Sequence, residues 1–336
     1  MGVTLKEIAL KSGVSEATAS LALNDKSGVN QDTRRRVLEN ARQMGYVPSV
    51  NAKALARKRS RLIGLLVPNI RNLFRSNVVQ EIEFVLRKNG YRMIFATTDS
   101  DEEYERKMIE QFVSFRVECV VLYPSIKDGK APRYLDLLKK NSIPLVFLNG
   151  RYENVDAPCV MTDLEDLCQK CVDHLFEQGY ERPIYMGACR KIYSSRKKIE
   201  YFSKAMRSHG ATFDQDDYIE LEHTNYQCAF AAVEKLLSSS KAFDAVITGD
   251  TYSGFGALNA LREHGISVPG EAAVIHFENF MKPDLCAMRM TCVELDVPRI
   301  ARAVLKTIEC LIHGETTADL WQPCKLVVRD STGKKR

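Results

Sequence analysis

The chain has 336 residues, room for more than one domain at the usual size of about 100–200 residues each. Its 45% hydrophobic and 27% charged residues are the balance of a globular protein, not a disordered one. The net charge of +5 is unevenly spread: residues 1–61 carry 12 Lys/Arg against 5 Asp/Glu, a net +7, and residues 62–336 carry 36 against 38, a net −2. A basic amino-terminal segment on a near-neutral body points to phosphate contact at one end. No apolar run reaches the roughly 18 residues of a membrane span, and the start lacks a signal peptide's apolar core, so the expected location is cytoplasmic, with no membrane partner. There the ten cysteines are expected as reduced thiols. The lone CxxC, Cys168 and Cys171, falls on a predicted helix over 163–178 and reads as buried helix thiols, with zinc or redox chemistry as the alternative.

Thr4-x-x-Glu7 is a capping-box pattern, and Leu5, Ile8 and Ala9 give the following helix one apolar face. Gly13 suits a tight turn, and Ser15 caps a second helix in which Val14, Ala19 and Leu23 face inward. Glu16, Ala17 and Ser20 project near its start. A third helix is predicted from about Gln31 to Met44, with Val37, Leu38, Ala41 and Met44 apolar and Gly45 as its stop. Two short capped helices joined by a glycine turn, with a third behind, form the layout of a helix-turn-helix that places its second helix in the DNA major groove. Beyond Pro48, residues 51–61 are helix-prone and basic, with Leu55 as an isolated apolar residue. The stretch reads as a solvated linker or as a segment that orders on DNA and wedges Leu55 between minor-groove base steps.

These motifs resemble the lactose-repressor (LacI/GalR) family of bacterial transcription regulators. The resemblance lies in Thr4-Leu5-Lys6-Glu7-Ile8-Ala9, Val14-Ser15-x-x-Thr18-Ala19-Ser20-x-x-Leu23-Asn24, Thr33-Arg34 through Gly45-Tyr46-x-Pro48, and Ala52-x-x-Leu55. It runs on to a last strand over Leu326–Ser331, so it covers nearly the whole chain. It implies a homodimer on a pseudo-palindromic double-stranded DNA operator, and with no heptad extension after Ser331 a dimer is expected over a helix-tethered tetramer. The DNA contacts it implies are Thr4, Leu5, Ser15, Glu16, Ala17, Thr18, Ser20, Asn24, Asn30, Arg34 and Tyr46, then Asn51, Ala52 and Leu55 in the hinge. Leu21 stands where the family usually has arginine.

From Leu62 the texture changes. Continuous apolar runs, Leu62–Val67, Arg92–Ala96, Cys119–Tyr123 and Leu145–Leu148, alternate with helix patterns at about Ser76–Asn89, Glu102–Ser114 and Arg133–Asn141. The rhythm restarts after Asp163, with strands Ile184–Gly187, Tyr218–Leu221, Ala245–Thr248 and Ala273–Phe277 and helices Lys197–His209, Gln227–Ser238 and Gly254–His264. Runs of this kind are strands buried on both faces of parallel sheets. The expected fold is therefore an all-α helix-turn-helix head (1–47), a hinge (48–61) and an α/β body (62–332) of two parallel-sheet subdomains. The resemblance implies a periplasmic-binding-protein-like body crossing near Met161–Thr162, Val293–Glu294 and Trp321–Gln322. Its subdomains would span 62–161 with 293–322, and 162–292 with 323–332.

Open α/β sheets bind ligands at the carboxyl ends of their strands. By that rule the candidates are Asn72, Phe74 and Arg75, then Pro124 and Ser125, Asn149 and Arg151, and in the second half Ser194, Lys198, Tyr226, Asp250, Glu278 and Asn279. Each residue type also serves as an ordinary loop or helix cap. The family default is a small-molecule carbohydrate effector. Sugar-binding relatives present Asp, Arg, Asn and Asp where this chain has Asn149, Lys198, Gly249 and Glu278. A purine- or nucleoside-type corepressor and a solute-binding protein without a DNA role are the alternatives. No Gly-rich phosphate loop, G-x-S-x-G elbow or metal spacing among the six histidines calls for an enzyme or a cofactor. His276 reads as a strand-end histidine, either ligand-facing or structural.

Overall fold

The computed structural model describes residues 3–46, 59–124, 131–279 and 288–335. The chain divides into two compact units, Met1–Ser60 and Arg61–Arg336.

The first unit holds helices α1 (Leu5–Lys11), α2 (Glu16–Leu23) and α3 (Gln31–Gln43). Thr4 and Glu7 close the capping box: the Glu7 amide donates to Thr4 Oγ1 (3.3 Å) and the Thr4 amide to Glu7 Oε2 (2.7 Å). Gly13 turns α1 into α2 at φ +62°, a conformation that costs glycine nothing. Ile8, Ala9, Ala19, Ala22, Val37 and Ala41 are buried, and the alanines let three short helices approach closely. Leu38 departs from the sequence reading: it is 46% exposed, because α3 turns Val37 and Ala41 inward instead. Asn40 Nδ2 donates to the buried Ser12 Oγ at 3.0 Å, which ties α3 to the turn.

The second unit is built on two six-stranded sheets. Sheet I contains β1 (Leu62–Val67), β2 (Arg92–Thr97), β3 (Cys119–Leu122), β4 (Leu145–Leu148), β5 (Cys159–Thr162) and β11 (Leu320–Gln322), ordered β11-β5-β4-β3-β1-β2 and parallel throughout. Sheet II contains β6 (Pro183–Gly187), β7 (Tyr218–Glu220), β8 (Ala245–Thr248), β9 (Ala273–Phe277), β10 (Thr291–Leu295) and β12 (Cys324–Val327), ordered β12-β10-β9-β8-β6-β7. Its strands are parallel except β12, which runs antiparallel to β10. The expected last strand over 326–331 is thus an antiparallel edge strand that ends at Val327, and Asp330–Thr332 form a 3-10 turn.

Helices cover both faces of each sheet. On sheet I, α4 (Leu73–Lys88) packs beside α11 (Val297–Ile312), while α5 (Glu102–Ser114) and α6 (Asp136–Lys140) cover the other face. The predicted helix Arg133–Asn141 is a 3-10 turn over Arg133–Leu135 followed by the short α6. On sheet II, α7 (Leu164–Glu177) and α8 (Tyr193–Ser208) lie opposite α9 (Tyr226–Leu237) and α10 (Thr251–Glu263). Cys168 and Cys171 are buried on α7. The sequence reading missed α11, though Asp296 caps it and Ile300, Val304 and Ile308 form its buried stripe. It follows a strand of sheet II and packs on sheet I.

The chain changes sheets after Thr162, after Leu295 and after Gln322. The second crossing therefore lies beyond Val293–Glu294, which are inside β10. Helix starts also differ from expectation: α4, α8 and α10 begin three or four residues early, which moves Asn72, Ser194 and Asp250 to helix amino termini.

Candidate nucleic-acid interface and ligand cleft

In the first unit the start of α2 is open. Ser15, Glu16 and Ala17 are exposed, and Thr18 and Ser20 are half-buried. Ser15 Oγ accepts from the Thr18 amide at 3.1 Å and lies 2.9 Å from the Thr18 hydroxyl, which fixes the turn that presents these side chains. Thr4 is an exposed cap, and Asn30 caps α3 by accepting from the Thr33 amide at 2.7 Å. Leu5 and Tyr46 pack against the small core. Asn24 Nδ2 donates to the Ser20 carbonyl at 2.9 Å and closes α2. Arg34 is engaged within the unit, paired with Asp25 and donating to the Lys26 carbonyl. Asn51, Ala52 and Leu55 lie outside the described residues.

In the second unit a cavity of about 730 Å³, counted with its open mouth, lies between the sheets. That size suits a small organic molecule. Asn72, Phe74, Arg75, Asn149, Ser194, Lys198, Asp250 and Glu278 all line it. Arg151 does not; it pairs with Asp319 at the edge of a smaller recess that also includes Pro124 and Asn149. Tyr226 departs from the cleft reading. As the first residue of α9 its ring packs on Phe230, 5.9 Å between centroids, and its hydroxyl accepts from Asn259 Nδ2 at 3.2 Å. Asn279 accepts from Arg329, and His276 is a buried structural residue whose pKa falls to about 4 through burial. Ser125 lies outside the described residues.

Each lining group is held from its own element. Asn72 caps α4, its Oδ1 accepting from the Arg75 amide and its Nδ2 donating to Glu278 Oε1, both at 3.0 Å. Asn149, at φ +55°, donates to the Tyr123 hydroxyl at 2.8 Å. Asp250 caps α10, accepting from the Ser253 amide (3.0 Å) and hydroxyl (2.6 Å). Glu278 sits at φ +78°, a strained setting for a non-glycine residue, and its Oε2 is buried with no hydrogen-bond partner. Burial, reinforced by the Asp250 charge, pushes the Glu278 carboxyl up to about 8. Burial lowers the Lys198 pKa.

Sequence reasoning passed over Tyr123, Tyr185 and Phe277. They look like interior strand residues, yet all three line the cleft. Tyr185 is packed among Phe202, Tyr218 and Phe277, with centroids 5.1, 5.2 and 5.7 Å away. Its hydroxyl meets Lys198 Nζ at 3.0 Å. Only alternation along β6, with a polar tip on an aromatic body, signalled this role.

A helix-turn-helix unit joined in one chain to a two-sheet ligand cleft defines a ligand-responsive DNA-binding regulator. Residues 4–49 match the family described as bacterial regulatory proteins, lacI family, and residues 172–332 match the periplasmic binding protein-like domain. The chain is 24% identical over 335 residues to catabolite control protein A of Priestia megaterium, covering 99% of this chain and all of that one. It is 25% identical over 332 residues to the HTH-type transcriptional repressor CytR of Escherichia coli K12, covering 98% and 96%. Among solved structures, the lac repressor dimer bound to operator and the anti-inducer ONPF superposes with a TM-score of 0.88 at 19% identity, covering 99% of this chain and all of that one. The transcriptional regulator CelR in complex with cellobiose gives 0.72 at 22% identity, covering 98% and 99%. The chain thus joins a DNA-binding domain of the lacI family to a periplasmic binding protein-like domain. It is a transcriptional regulator with a DNA-binding domain and an effector-binding body. Among the described residues no helix is long and apolar enough to cross a membrane.

Proposed function

We propose that the protein is a cytoplasmic repressor that binds a pseudo-palindromic operator as a homodimer and is controlled by a small molecule in the cleft. The observation that carries this reading is the cross-cleft contact of Asn72 with Glu278: a capping residue of one subdomain meets a buried, half-satisfied carboxyl of the other. A ligand entering there competes with or completes that contact, and so acts on the angle between the subdomains. Hinge closure around ligand is the motion such two-lobed bodies permit. The solved lac repressor is a dimer on operator DNA, and CelR is seen with cellobiose, which supports the dimer and a carbohydrate-sized effector for this chain.

On this reading Ser15, Glu16, Ala17, Thr18 and Ser20 meet base edges and backbone from α2, and Thr4, Leu5, Asn24, Asn30, Arg34 and Tyr46 support or flank them. Residues 48–61 form the hinge, with Asn51, Ala52 and Leu55 at the minor groove. Asn72, Phe74, Arg75, Asn149, Ser194, Lys198, Asp250 and Glu278 contact the effector. The test is selection of bound sequences from a random duplex pool by the full-length protein, followed by titration at several salt concentrations. Recovery of a two-fold-symmetric site with a steep negative salt slope is the expected result. A half-site alone, or no enrichment, overturns it.

A further inference from the structure

Two cleft cations feel the charges of the cleft carboxyls without direct contact: Glu278 acts on both, and Asp250 also on Lys198. Among the described residues neither Arg75 nor Lys198 forms an ion pair, whereas the neighbouring Arg151 and Arg196 are paired with Asp319 and Glu153. Arg75 lies over the Tyr123 ring, 5.9 Å from its centroid. Lys198 Nζ lies 4.9 Å from the Phe277 centroid and 5.5 Å from that of Tyr185. Ring faces steady an ammonium without using its N–H donors, and one contact to the Tyr185 hydroxyl leaves two of the three open.

The amino end of α8 adds donors in the same place. This 16-residue helix has Ile192 as its N-cap, with no side-chain capping bond. The Ser195 and Arg196 amides turn back to the Ile192 carbonyl, each at 3.1 Å, and the Tyr193 and Ser194 amides have no acceptor among the described residues. Ser194 and Lys198 are one turn apart and both line the cleft. An uncapped helix start favours negative charge. The carboxyls opposite are already committed. Both Asp250 oxygens serve Ser253, and Glu278, 5% exposed, has one oxygen on Asn72 and the other unpartnered.

We propose that the effector carries an anionic oxygen group, a carboxylate or a phosphate, seated at the amino end of α8 between Ser194, the Lys198 ammonium and the Tyr185 hydroxyl, with its uncharged body reaching Asn72 and the free oxygen of Glu278. This rests on the reading that the effector binds between the subdomains, and it narrows that effector from a neutral sugar to an acidic or phosphorylated one. Glu278 suits such a ligand because its carboxyl, held up to about 8, keeps its proton at neutral pH and adds a donor in place of a second repelling charge.

The test is calorimetry and thermal shift on the full-length protein with matched probes: glucuronate against glucose for the carboxylate, and glucose 6-phosphate against glucose for the phosphate. The expected result is that one acid binds at least tenfold more tightly than glucose, that Lys198→Met removes the preference and that Lys198→Arg retains it. If Lys198→Met lowers the ligand-free Tm, Lys198→Gln takes its place. Glucose binding as tightly as both acids, neither acid binding, or a preference that survives loss of the Lys198 charge overturns the proposal. Ser194→Trp, which fills the cleft regardless of charge, separates the two readings. If glucose binds as tightly as both acids and Ser194→Trp blocks it, the cleft stands and the anion falls; acid binding unaffected by Ser194→Trp removes the cleft as well.

Discussion

Asn72 Nδ2 and Glu278 Oε1 meet at 3.0 Å from positions 206 residues apart, and the bond joins the cap of α4 on sheet I to the residue that follows β9 of sheet II. The same Glu278 amide donates to the Val293 carbonyl at 2.8 Å, so the carboxyl is aimed from a fixed backbone. Asn72→Ala removes the partner of one Glu278 oxygen while the other already lacks one. The expected loss is about 1–3 kcal/mol, the cost of stranding a buried polar group. Asn72→Asp keeps the α4 cap and removes the donor, so urea unfolding of the two variants divides cap from cross-cleft contact. Equal stability of Asn72→Ala and wild type refutes the role.

Stability should fall from mildly acidic to alkaline pH. The Glu278 carboxyl is raised to about 8, and burial raises that of Glu105, which accepts from Tyr134 and Tyr152, to about 7. Unfolded, each releases its proton near 4.5. Between 4.5 and those raised values the folded state binds more protons, so rising pH favours unfolding. His276 acts with the opposite sign: its pKa drops to about 4, so acidification from 6.5 towards 4 also destabilises the fold. Urea titrations across pH 4–9 should show Glu278→Gln reducing the fall in stability between about 4.5 and 8. An unchanged fall over that window refutes the Glu278 assignment.

The sheets were legible where burial on both faces makes a strand a continuous apolar run, as in Leu62–Val67 and Ala245–Thr248. Strands that carry the chain between subdomains were not. Leu320–Gln322 is three residues long and pairs with a strand 160 residues earlier, and Thr291–Leu295 interrupts its apolar residues with Thr291 and Glu294, so no continuous apolar run marks either. Candidate cleft residues followed from strand ends, and most came together because those ends converge. Tyr226 failed because its ring turns along α9 towards Phe230, a side-chain direction no residue pattern encodes. The left-handed backbone of Asn149 and Glu278 was likewise invisible, since only the folded strand ends impose it.

DNA affinity should reside in the basic head. Residues 1–61 carry the net +7, and the remainder is slightly negative. Full-length protein should lose affinity linearly in log–log form as salt rises, through counterion release. Removal of residues 1–61 should abolish binding and leave the ligand-induced rise in Tm intact. Retained DNA binding by the shortened chain contradicts the assignment. Within the head, Ser15→Ala removes the cap on the Thr18 amide and should cost about 1 kcal/mol, with a parallel loss of affinity.

Gly249 and Tyr185 should behave as a coupled pair. A Cβ at position 249 would stand 3.1 Å from the Tyr185 hydroxyl, and that ring has little freedom to yield. Phe202, Tyr218 and Phe277 surround it, and Lys198 holds its tip. Two effects of Gly249→Ala oppose each other. Loss of unfolded-state freedom stabilises by about 0.4–1 kcal/mol, and overpacking costs about 1–3 kcal/mol. With the ring pinned, overpacking wins, and the variant should be less stable than wild type. In a Tyr185→Phe background the obstructing oxygen is gone, so the same substitution should become neutral or stabilising. The double-mutant cycle should therefore show a coupling of about 1 kcal/mol, within the range for contacting residues. Additive effects in urea unfolding would show that Tyr185 does not fill the space that Gly249 leaves.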